Sequence, residues 1–296
     1  MAALAGGALS LTTELLQNYL PHRVASNIDL ALNVAGTTLG ALLGALIHTL
    51  GGVERWQAVR DRWFIGSSAG GLVLLLLWPV GLLFPVPVPL GVGQALPRLR
   101  EALDELVQDT PAADWTQPWL APDVDPSAVL SPGSEFMAIA FGLLAPCLIA
   151  FTVSRSGWRR AVLALGAAGI GFAATTLSTT LNFGPQHWLA WGTPTALAAF
   201  VAGLLMALLL VWVPRRAAAG LGLMALAALV AIVAQAPADP YFAESLQAWE
   251  QGRFIRFHGA AQWVGWLWPF AAMAYLLARI AARDSGGPAA VPKMPP

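Results

Sequence analysis

Residues 137–153 read MAIAFGLLAPCLIAFTV, a run that contains no charged side chain. Together with the residues just ahead of it, this run approaches the length of about 20 apolar residues that an α-helix needs to cross a bilayer. The whole chain is similar, since 57% of its 296 residues are hydrophobic and only 11% are charged, against about 25% charged in an average soluble domain. The run therefore predicts a membrane-spanning helix in an integral membrane protein.

Working outward from this run, we find eight stretches of comparable length and hydropathy. Charged residues, prolines or both separate them, and they lie at residues 2–20, 28–50, 64–84, 134–153, 161–181, 190–213, 217–235 and 259–281. The predicted fold is all-α, a polytopic membrane helix bundle with about eight transmembrane helices. We divide it into a hairpin at 1–50, a four-helix unit at 51–213, two further transmembrane helices at 214–283 and a disordered tail at 284–296.

Arginine placement predicts the orientation, because cytoplasmic loops retain Lys and Arg. One set of alternate loops, with the C-terminal tail, holds eleven of the sixteen basic residues: Arg55, Arg60, Arg62, Arg155, Arg159, Arg160, Arg215, Arg216, Arg279, Arg283 and Lys293. The opposite set holds the other five basic residues and most of the acidic ones. Both termini are therefore predicted to be cytoplasmic.

The longest outer connection runs from Pro85 to Pro132. It begins with PVPVPLG, an extended Pro-rich lead that cannot be the interior of a helix. Four leucines then recur at helical spacing, at Leu96, Leu99, Leu103 and Leu106. Residues 85–131 carry seven acidic residues and two arginines, so we expect an anionic segment whose apolar stripe lies on the membrane surface or against the bundle.

Composition also excludes several kinds of partner and cofactor. A formal net charge of zero argues against nucleic-acid binding, which needs a basic surplus on one face. Cys147 is the one cysteine, so neither an intrachain disulfide nor a cysteine-based metal site can form. We find no His/Asp metal set and no Gly-rich phosphate loop, and we expect no cofactor and no metal.

Polar residues interrupt the first two apolar stretches, in TTELLQNYLPHRVASNIDLALNVAG at residues 12–36. Ser10, Glu14 and Gln17 share one face of the first helix, and Asp29 and Asn33 share one face of the second. Because the turn between the helices is short, they must pack antiparallel. The spacing predicts that these polar faces meet and that Gly36, Gly40 and Gly44 allow the helices to approach closely.

This cluster has both structural and functional interpretations. Asp29 suits the first turn of a helix, where a negative charge favours the helix dipole, and Gln17 with Asn33 can be a simple interhelical hydrogen bond. Glu14 lies about two turns inside its helix and is not explained by capping. A carboxylate inside a membrane needs a partner, and Arg23 in the turn is able to bridge Glu14 and Asp29.

The pattern Glu14-x-x-Gln17, Pro21-x-Arg23, Asp29-x-x-x-Asn33, with Gly36 and Gly40 following, resembles the VanZ-like family, which is named for a teicoplanin-resistance protein. The likeness covers residues 9–46. It implies a bacterial cell-envelope protein of the inner membrane, and for the founding member a lowered susceptibility to a lipoglycopeptide. The family unit has four helices, and this motif lies on the third and fourth.

Two helices should precede the motif, yet Met1 already lies in the helix that carries Glu14. Either two upstream helices are missing or the unit is rebuilt from later ones. The stretch TTLSTTLNFGPQHWLAWGTPTALAAFVAGLL echoes the motif, with Pro185 at the position of Pro21 and Ser178 at that of Glu14. This second copy has lost the charges, so either a degenerate duplication or shared membrane composition explains it.

We expect a non-enzymatic protein whose outer-facing cluster of Glu14, Gln17, Arg23, Asp29 and Asn33 recognises a polar lipid headgroup, a glycan or a glycopeptide. Membrane lipid and envelope glycolipid or glycopeptide are the expected partners. The alternative is a membrane enzyme acting on a lipid-linked envelope substrate, with Glu14 or Asp29 as general base. A transporter ranks last, because its polar residues should lie near the midplane.

The predicted topology can be tested with single added cysteines. A cysteine replacing Ala112 should react with a membrane-impermeant thiol reagent in intact spheroplasts, because residues 85–131 are predicted to face outward. A cysteine in the 155–160 loop should react only after the membrane is opened. Mass spectrometry of each labelled protein measures this, and the reverse pattern would contradict the topology.

Overall fold

The structure is a computed structural model that describes residues 2–17, 27–84, 86–111, 113, 115–116, 130–236 and 260–282. Side chains are described for these residues except 2–4, 13–17, 27–30, 97–98 and 101. The chain divides into two compact units, residues 1–63 and 64–296. The predicted tail at 284–296 and the turn at 18–26 lie outside the described residues.

The first unit contains helices α1 (Ala2–Gln17), α2 (Asn27–Thr49) and α3 (Gly52–Trp63). Helix α1 packs along α2, as the hairpin prediction requires. Helix α2 ends where Gly51 adopts a positive φ of 66°, a left-handed conformation that favours glycine at a helix end. Helix α3 lies beyond the predicted boundary at residue 50 but belongs to this unit.

The contact between α1 and α2 uses other small residues than the sequence predicts. A Cβ at Gly6 would overlap the side chain of Thr37, so the backbone of α1 lies directly on α2 at this point. Around Gly36, Gly40 and Gly44 no described atom lies within 4 Å of an added Cβ. The described residues therefore show no close contact at these three glycines, and the close contact that they do show between α1 and α2 is at Gly6 and Thr37.

The second unit contains seven described helices. They are α4 (Ala69–Leu82), α5 (Ala95–Val107), α6 (Pro132–Val153), α7 (Trp158–Phe183), α8 (Pro194–Leu209), α9 (Arg215–Val233) and α10 (Ala260–Ala281). Short 3₁₀ turns follow α7 at Pro185–His187 and α8 at Leu210–Trp212. Helices α9 and α10 pack against α6 and α4, so residues 214–283, predicted as a separate segment, join the same unit.

Helix α6 is the centre of this unit, since every residue from Ala138 to Val153 except Phe141 is buried. It begins where the hydroxyl of Ser131 accepts a hydrogen bond of 3.1 Å from the amide of Ser134, with Pro132 in the first helical position. This is a favourable helix start, because the side chain satisfies a free amide and proline has none to satisfy. Cys147 is fully buried in this helix.

The helices approach one another through glycines. A Cβ at Gly203 on α8 would lie 2.7 Å from the carbonyl oxygen of Ala140 on α6, and one at Gly81 on α4 would lie 3.0 Å from Cα of Gly265 on α10. Small residues allow such backbone contact where lipid provides no hydrophobic drive between helices. Close helix contact through glycines, which the sequence predicts for the hairpin, is therefore found between helices of the second unit.

Arginines hold the helix ends together at one end of this unit, which we call the basic end. The guanidinium of Arg160, 1% exposed, donates to the carbonyls of Phe151 at 2.8 Å, Val211 at 3.0 Å and Val213 at 2.6 Å. Arg279 donates to Ser67 Oγ at 3.0 Å. Arg279 also donates to Thr152 O at 3.4 Å, and this bond and those of Arg160 satisfy carbonyls that a helix C-terminus leaves free.

Within the part of the chain that the structure describes, six helical spans are long and apolar enough to cross a membrane: 31–49, 132–153, 158–183, 194–212, 215–233 and 260–281. Helix α4 is equally apolar but shorter. Their outward faces expose large apolar side chains, such as Leu76 at 72%, Leu209 at 80% and Met224 at 70%, as lipid-facing surfaces do. The described elements are helices with one isolated bridge between Phe64 and Ser154, and the prediction of an all-α, polytopic membrane protein is confirmed.

The hairpin contact predicts opposite effects for two glycine substitutions. Gly6→Leu should force α1 away from α2 and lower the stability by about 1–3 kcal/mol, the usual cost of overpacking. Gly40→Leu, on the open face, should be neutral or slightly stabilising, because leucine favours helix over glycine. Thermal unfolding in detergent, followed by circular dichroism, compares them, and equal melting of the two variants would contradict the described contact.

Candidate functional site

Of the predicted polar cluster, the structure describes the side chain of Asn33, together with that of Ser10 on the facing helix. The side-chain amide of Asn33 on α2 donates a hydrogen bond of 3.0 Å to Ser10 Oγ on α1, and Ser10 is buried, with 6% exposed. Ser10 and Asn33, one residue from each polar face, are therefore in contact, and the pairing of Gln17 with Asn33 stays a prediction. Glu14, Gln17 and Asp29 lie in helical backbone but their side chains are outside the described set, as is the whole of Arg23.

A second feature lies in the other unit, where residues 86–94 form a non-helical segment inside the helix bundle. We call it the re-entrant segment. From Pro87 to Gln94 every residue is buried, and Leu90 is fully buried with a positive φ of 62°. The amide of Gly91 donates to Val88 O at 2.8 Å and that of Val92 to Leu90 O at 3.1 Å. These turns pair some of its backbone groups internally, as non-helical backbone at membrane depth requires.

The surrounding helices make room for this segment by lacking side chains. A Cβ at Gly142, near the middle of α6, would lie 2.6 Å from the carbonyl oxygen of Leu90, and one at Gly171 on α7 would lie 3.3 Å from Leu90 Cδ2. On the opposite side, a Cβ at Gly93 would lie 2.9 Å from Cγ of Pro269 on α10. The segment is thus enclosed at the level of the helix middles.

The sequence predicts the extended form of this segment but not its position. It places PVPVPLG at the start of the outer connection, whereas the structure buries residues 86–94 in the core. The available signal is that residues 85–93 carry no charge and include Gly91 and Gly93. Helix α5 follows as predicted, and its leucines are exposed by 39% to 73%, which favours the membrane-surface interpretation over packing on the bundle.

A small cavity lies beside the re-entrant segment, at the end of the unit opposite the basic end. Its volume of about 20 Å³ is enough for roughly one water molecule or a group of similar size. Four parts of the chain form its wall: the end of α4, the C-terminal part of α7, the re-entrant segment and Trp191 in the connection between α7 and α8. The lining residues are Leu82, Val86, Pro89, Thr175, Ser178, Thr179, Phe183 and Trp191.

Three residues with hydroxyl groups line this cavity, and two of these hydroxyl groups donate hydrogen bonds to backbone carbonyls. Ser178 Oγ donates to Leu83 O at 3.0 Å, and Thr179 Oγ1 donates to Thr175 O at 2.9 Å. Thr175 Oγ1 is buried and has no hydrogen-bond partner among the described residues. Such an unsatisfied buried group costs about 1–3 kcal/mol, so it requires an explanation.

Thr175 differs in its hydrogen bonding from five other threonines of the described helices. These five donate to the carbonyl four residues earlier, namely Thr12, Thr37, Thr38, Thr179 and Thr180. For Thr175 that acceptor is the carbonyl of Gly171, and no such bond forms. Its hydroxyl oxygen is enclosed by protein atoms and makes no hydrogen bond among the described residues.

The cavity wall is chemically neutral. Its eight lining residues offer hydroxyl groups, an indole and apolar surface, and none of them is ionisable. Trp191 is held in place, because its Nε1 donates to Thr176 Oγ1 at 3.1 Å and its ring meets that of Phe172 edge-on at 5.3 Å. In the described part of the chain, no three His, Cys, Asp or Glu side chains come together as a metal site.

Fold and surface together define a helical multi-pass membrane protein with a re-entrant segment in its larger unit. Comparison with protein-family models, curated proteins and solved structures found no match. The candidate sites must therefore be interpreted from their own chemistry.

The re-entrant segment predicts that one central glycine cannot be replaced. Gly142→Ala should destabilise the protein, because the new methyl group would displace the Leu90 carbonyl. Gly169→Ala is the matched control: no atom lies within 4 Å of its added Cβ, and alanine should stabilise α7 there by about 0.5–1 kcal/mol. Melting temperatures in detergent measure both, and a Gly142→Ala protein as stable as the Gly169→Ala protein would exclude this packing.

Proposed function

We propose that this protein is a VanZ-like bacterial cell-envelope protein that recognises a polar group with the cluster in its N-terminal hairpin. The proposed ligand is a polar lipid headgroup, a glycan or a glycopeptide, and the role is recognition rather than catalysis. The observation that carries the proposal is the hydrogen bond between Asn33 and Ser10. It supports the pairing of the two polar helix faces on which the family resemblance rests.

The register of the hairpin extends this pairing to the charged residues. Gly6 meets Thr37 and Ser10 meets Asn33, one helical turn apart on each antiparallel helix. Continuing by one further turn puts position 14 opposite position 29, both in helical backbone. We propose that the carboxylates of Glu14 and Asp29 then approach each other, near Arg23 in the connection between the two helices.

Two carboxylates at one level of a membrane hairpin need positive charge or water. Like charges repel, and the cost of a carboxylate is about 2.5–3.5 kcal/mol at the bilayer centre and less near its surface. A guanidinium is planar and can hydrogen-bond two carboxylates at once. Arg23 between Glu14 and Asp29 would leave donors directed away from the helices, where a phosphate, sugar or carboxylate group of a ligand can accept them.

The proposed topology places this cluster on the outer surface of the bacterial inner membrane. It has eight spans, the two beyond the long apolar helices being α1 and α4, and both termini are cytoplasmic. The basic end of the second unit supports it, because Arg160 and Arg279 both donate to carbonyls at the C-terminal end of α6. Basic residues on a single side agree with the positive-inside rule for cytoplasmic loops.

Glu14→Gln tests whether the charge of the cluster is needed for recognition. The amide keeps the size and hydrogen-bonding capacity of the carboxylate, so folding should be retained while protection of cells against a glycopeptide is lost. Glu54→Gln on α3 is the matched control, because Glu54 is exposed and lies outside the cluster. The measurements are thermal stability in detergent and glycopeptide susceptibility of cells that express each protein.

Two results would contradict the proposal. A Glu14→Gln protein that is as stable and as protective as the parent would make the cluster an interhelical contact only. Loss of stability in step with loss of protection would assign Glu14 a structural role. Release of a modified glycolipid by the parent, abolished by Glu14→Gln, would instead support an enzyme.

A further inference from the structure

We propose that the basic end of the second unit is an interaction surface for anionic phospholipid headgroups, with the guanidinium groups of Arg159 and Arg215 as the groups that bind phosphate. The partner is a membrane lipid that carries net negative charge. The surface shares no residue with the hairpin cluster and does not depend on the function proposed for it.

The segments that form the basic end carry only positive charge. Hydrogen bonds join four segments there, residues 64–68, 152–160, 210–216 and 276–282, which contain six arginines and no acidic residue. In the described part of the second unit, the acidic residues lie on α5, directly after it and at Glu135 near the start of α6. A surface with charge of one sign favours a partner of the opposite sign.

Hydrogen bonds distinguish the arginines that hold this end together from those that remain for a partner. Arg160, Arg216 and Arg279 donate to groups of neighbouring segments. Arg159 and Arg215 form no hydrogen bond or ion pair within the described part of the chain. Arg215 is exposed, and Nε is the one nitrogen of the Arg159 side chain that is enclosed without a partner. Their terminal N–H groups are therefore accessible to an acceptor.

The packing of Arg160 brings Arg159 and Arg215 to the same end of the bundle. A terminal nitrogen of Arg160 donates to Val213 O at 2.6 Å, which ties the first turn of α7 to the residues just before α9. Arg159 adjoins Arg160, and Arg215 follows Val213 by two residues. Arg215 also lies near enough to Arg160 for their charges to repel. A phosphate group at this surface would offset that repulsion and accept charge-assisted hydrogen bonds.

The arginine on α7 lies at the end of a lipid-facing stripe. Trp158, Val162 and Leu165 are exposed, and their spacing places them on one face of the helix. Trp158 is the last of them towards the basic end, and the guanidinium of Arg159 lies 5.6 Å from the centre of its ring. Tryptophan is enriched where a membrane protein passes the bilayer surface, so Arg159 adjoins the level of the lipid headgroups.

The arginine before α9 has the same setting. Leu205 and Leu209 on α8 are exposed, and Trp212, 76% exposed, follows them towards the basic end. A Cβ added at Gly157 would lie 4.0 Å from the ring of Trp212, so this tryptophan is beside the start of α7. Arg215 comes three residues after Trp212. The two tryptophans therefore favour a lipid headgroup over a soluble anion as the partner.

Lipid titration of the full-length protein in a non-ionic detergent tests the surface. Native mass spectrometry measures the Kd for dioleoyl phosphatidylglycerol, which is anionic, and for dioleoyl phosphatidylcholine, which has the same chains and no net charge. The anionic lipid should bind about 25-fold more tightly, since each of two basic residues near a membrane surface contributes about a factor of five. Equal affinity for the two lipids would overturn the proposal, and this comparison needs no variant.

Arg159→Gln and Arg215→Gln each remove one charge from the surface. Each should weaken binding of phosphatidylglycerol about fivefold and leave that of phosphatidylcholine unchanged. Arg100→Gln is the matched control, because Arg100 is exposed on α5 and lies outside the four basic segments. Equal weakening by Arg100→Gln would assign the preference to the net charge of the protein. Unchanged binding in a double variant that melts like the parent would also overturn the proposal.

Inorganic phosphate distinguishes a lipid surface from a site for a free anion. Phosphate should displace phosphatidylglycerol no more than sodium chloride of the same ionic strength does, because ionic strength alone screens exposed charges. Stronger displacement by phosphate would assign the arginines to a soluble anion and overturn lipid binding.

Glu14→Gln separates this proposal from the function assigned to the hairpin. The variant should bind phosphatidylglycerol as the parent does, because Glu14 belongs to the other unit. Loss of that binding in a stable Glu14→Gln protein would assign the lipid to the hairpin cluster and overturn the proposal for the basic end.

Discussion

Close approach of backbones is the constraint on which the larger unit of this protein depends. Helices in lipid gain little by hiding apolar surface from one another, so they associate through van der Waals contact at small residues. Gly203 against Ala140 and the pair Gly81 and Gly265 bring backbones together in this way. Gly142 makes such a contact with a non-helical partner. The carbonyl of Leu90 occupies the space that a side chain at position 142 would fill.

Polar groups inside the bundle follow a second constraint, because each needs a partner within the protein. At the basic end, Arg160 satisfies three carbonyls at helix ends. At the opposite end, hydroxyl groups of α7 bond to the end of α4 and to their own helix. Thr175, Ser68 and Ser154 depart from this pattern, since their buried hydroxyl groups have no hydrogen-bond partner among the described residues.

The two candidate sites differ in chemistry and lie in separate units. The hairpin cluster contains carboxylates, a guanidinium and amides in sequence, which suits a charged or strongly polar ligand. The cavity contains hydroxyl groups and apolar surface, which suits a neutral one.

Much of this architecture follows from the sequence alone. Apolar runs such as residues 137–153 predict the spanning helices because their length must match the bilayer, and the spacing of Ser10 and Asn33 predicts that two polar faces meet. Leu96 to Leu106 likewise predict helix α5. These are local properties, since each depends on residues within one element or on a short connection between two.

Contacts between distant elements were decided only by the tertiary structure. The sequence cannot distinguish Gly6 of α1, which packs against α2, from Gly40 of α2, which faces open space. Both are glycines on apolar helices. The sequence predicts an extended PVPVPLG but not its burial, which depends on Gly142 and Gly171 lying at the same depth on two later helices. Thr175 resembles its threonine neighbours in sequence, and only the structure shows that its hydroxyl lacks the bond to its own helix that Thr179 and Thr180 make.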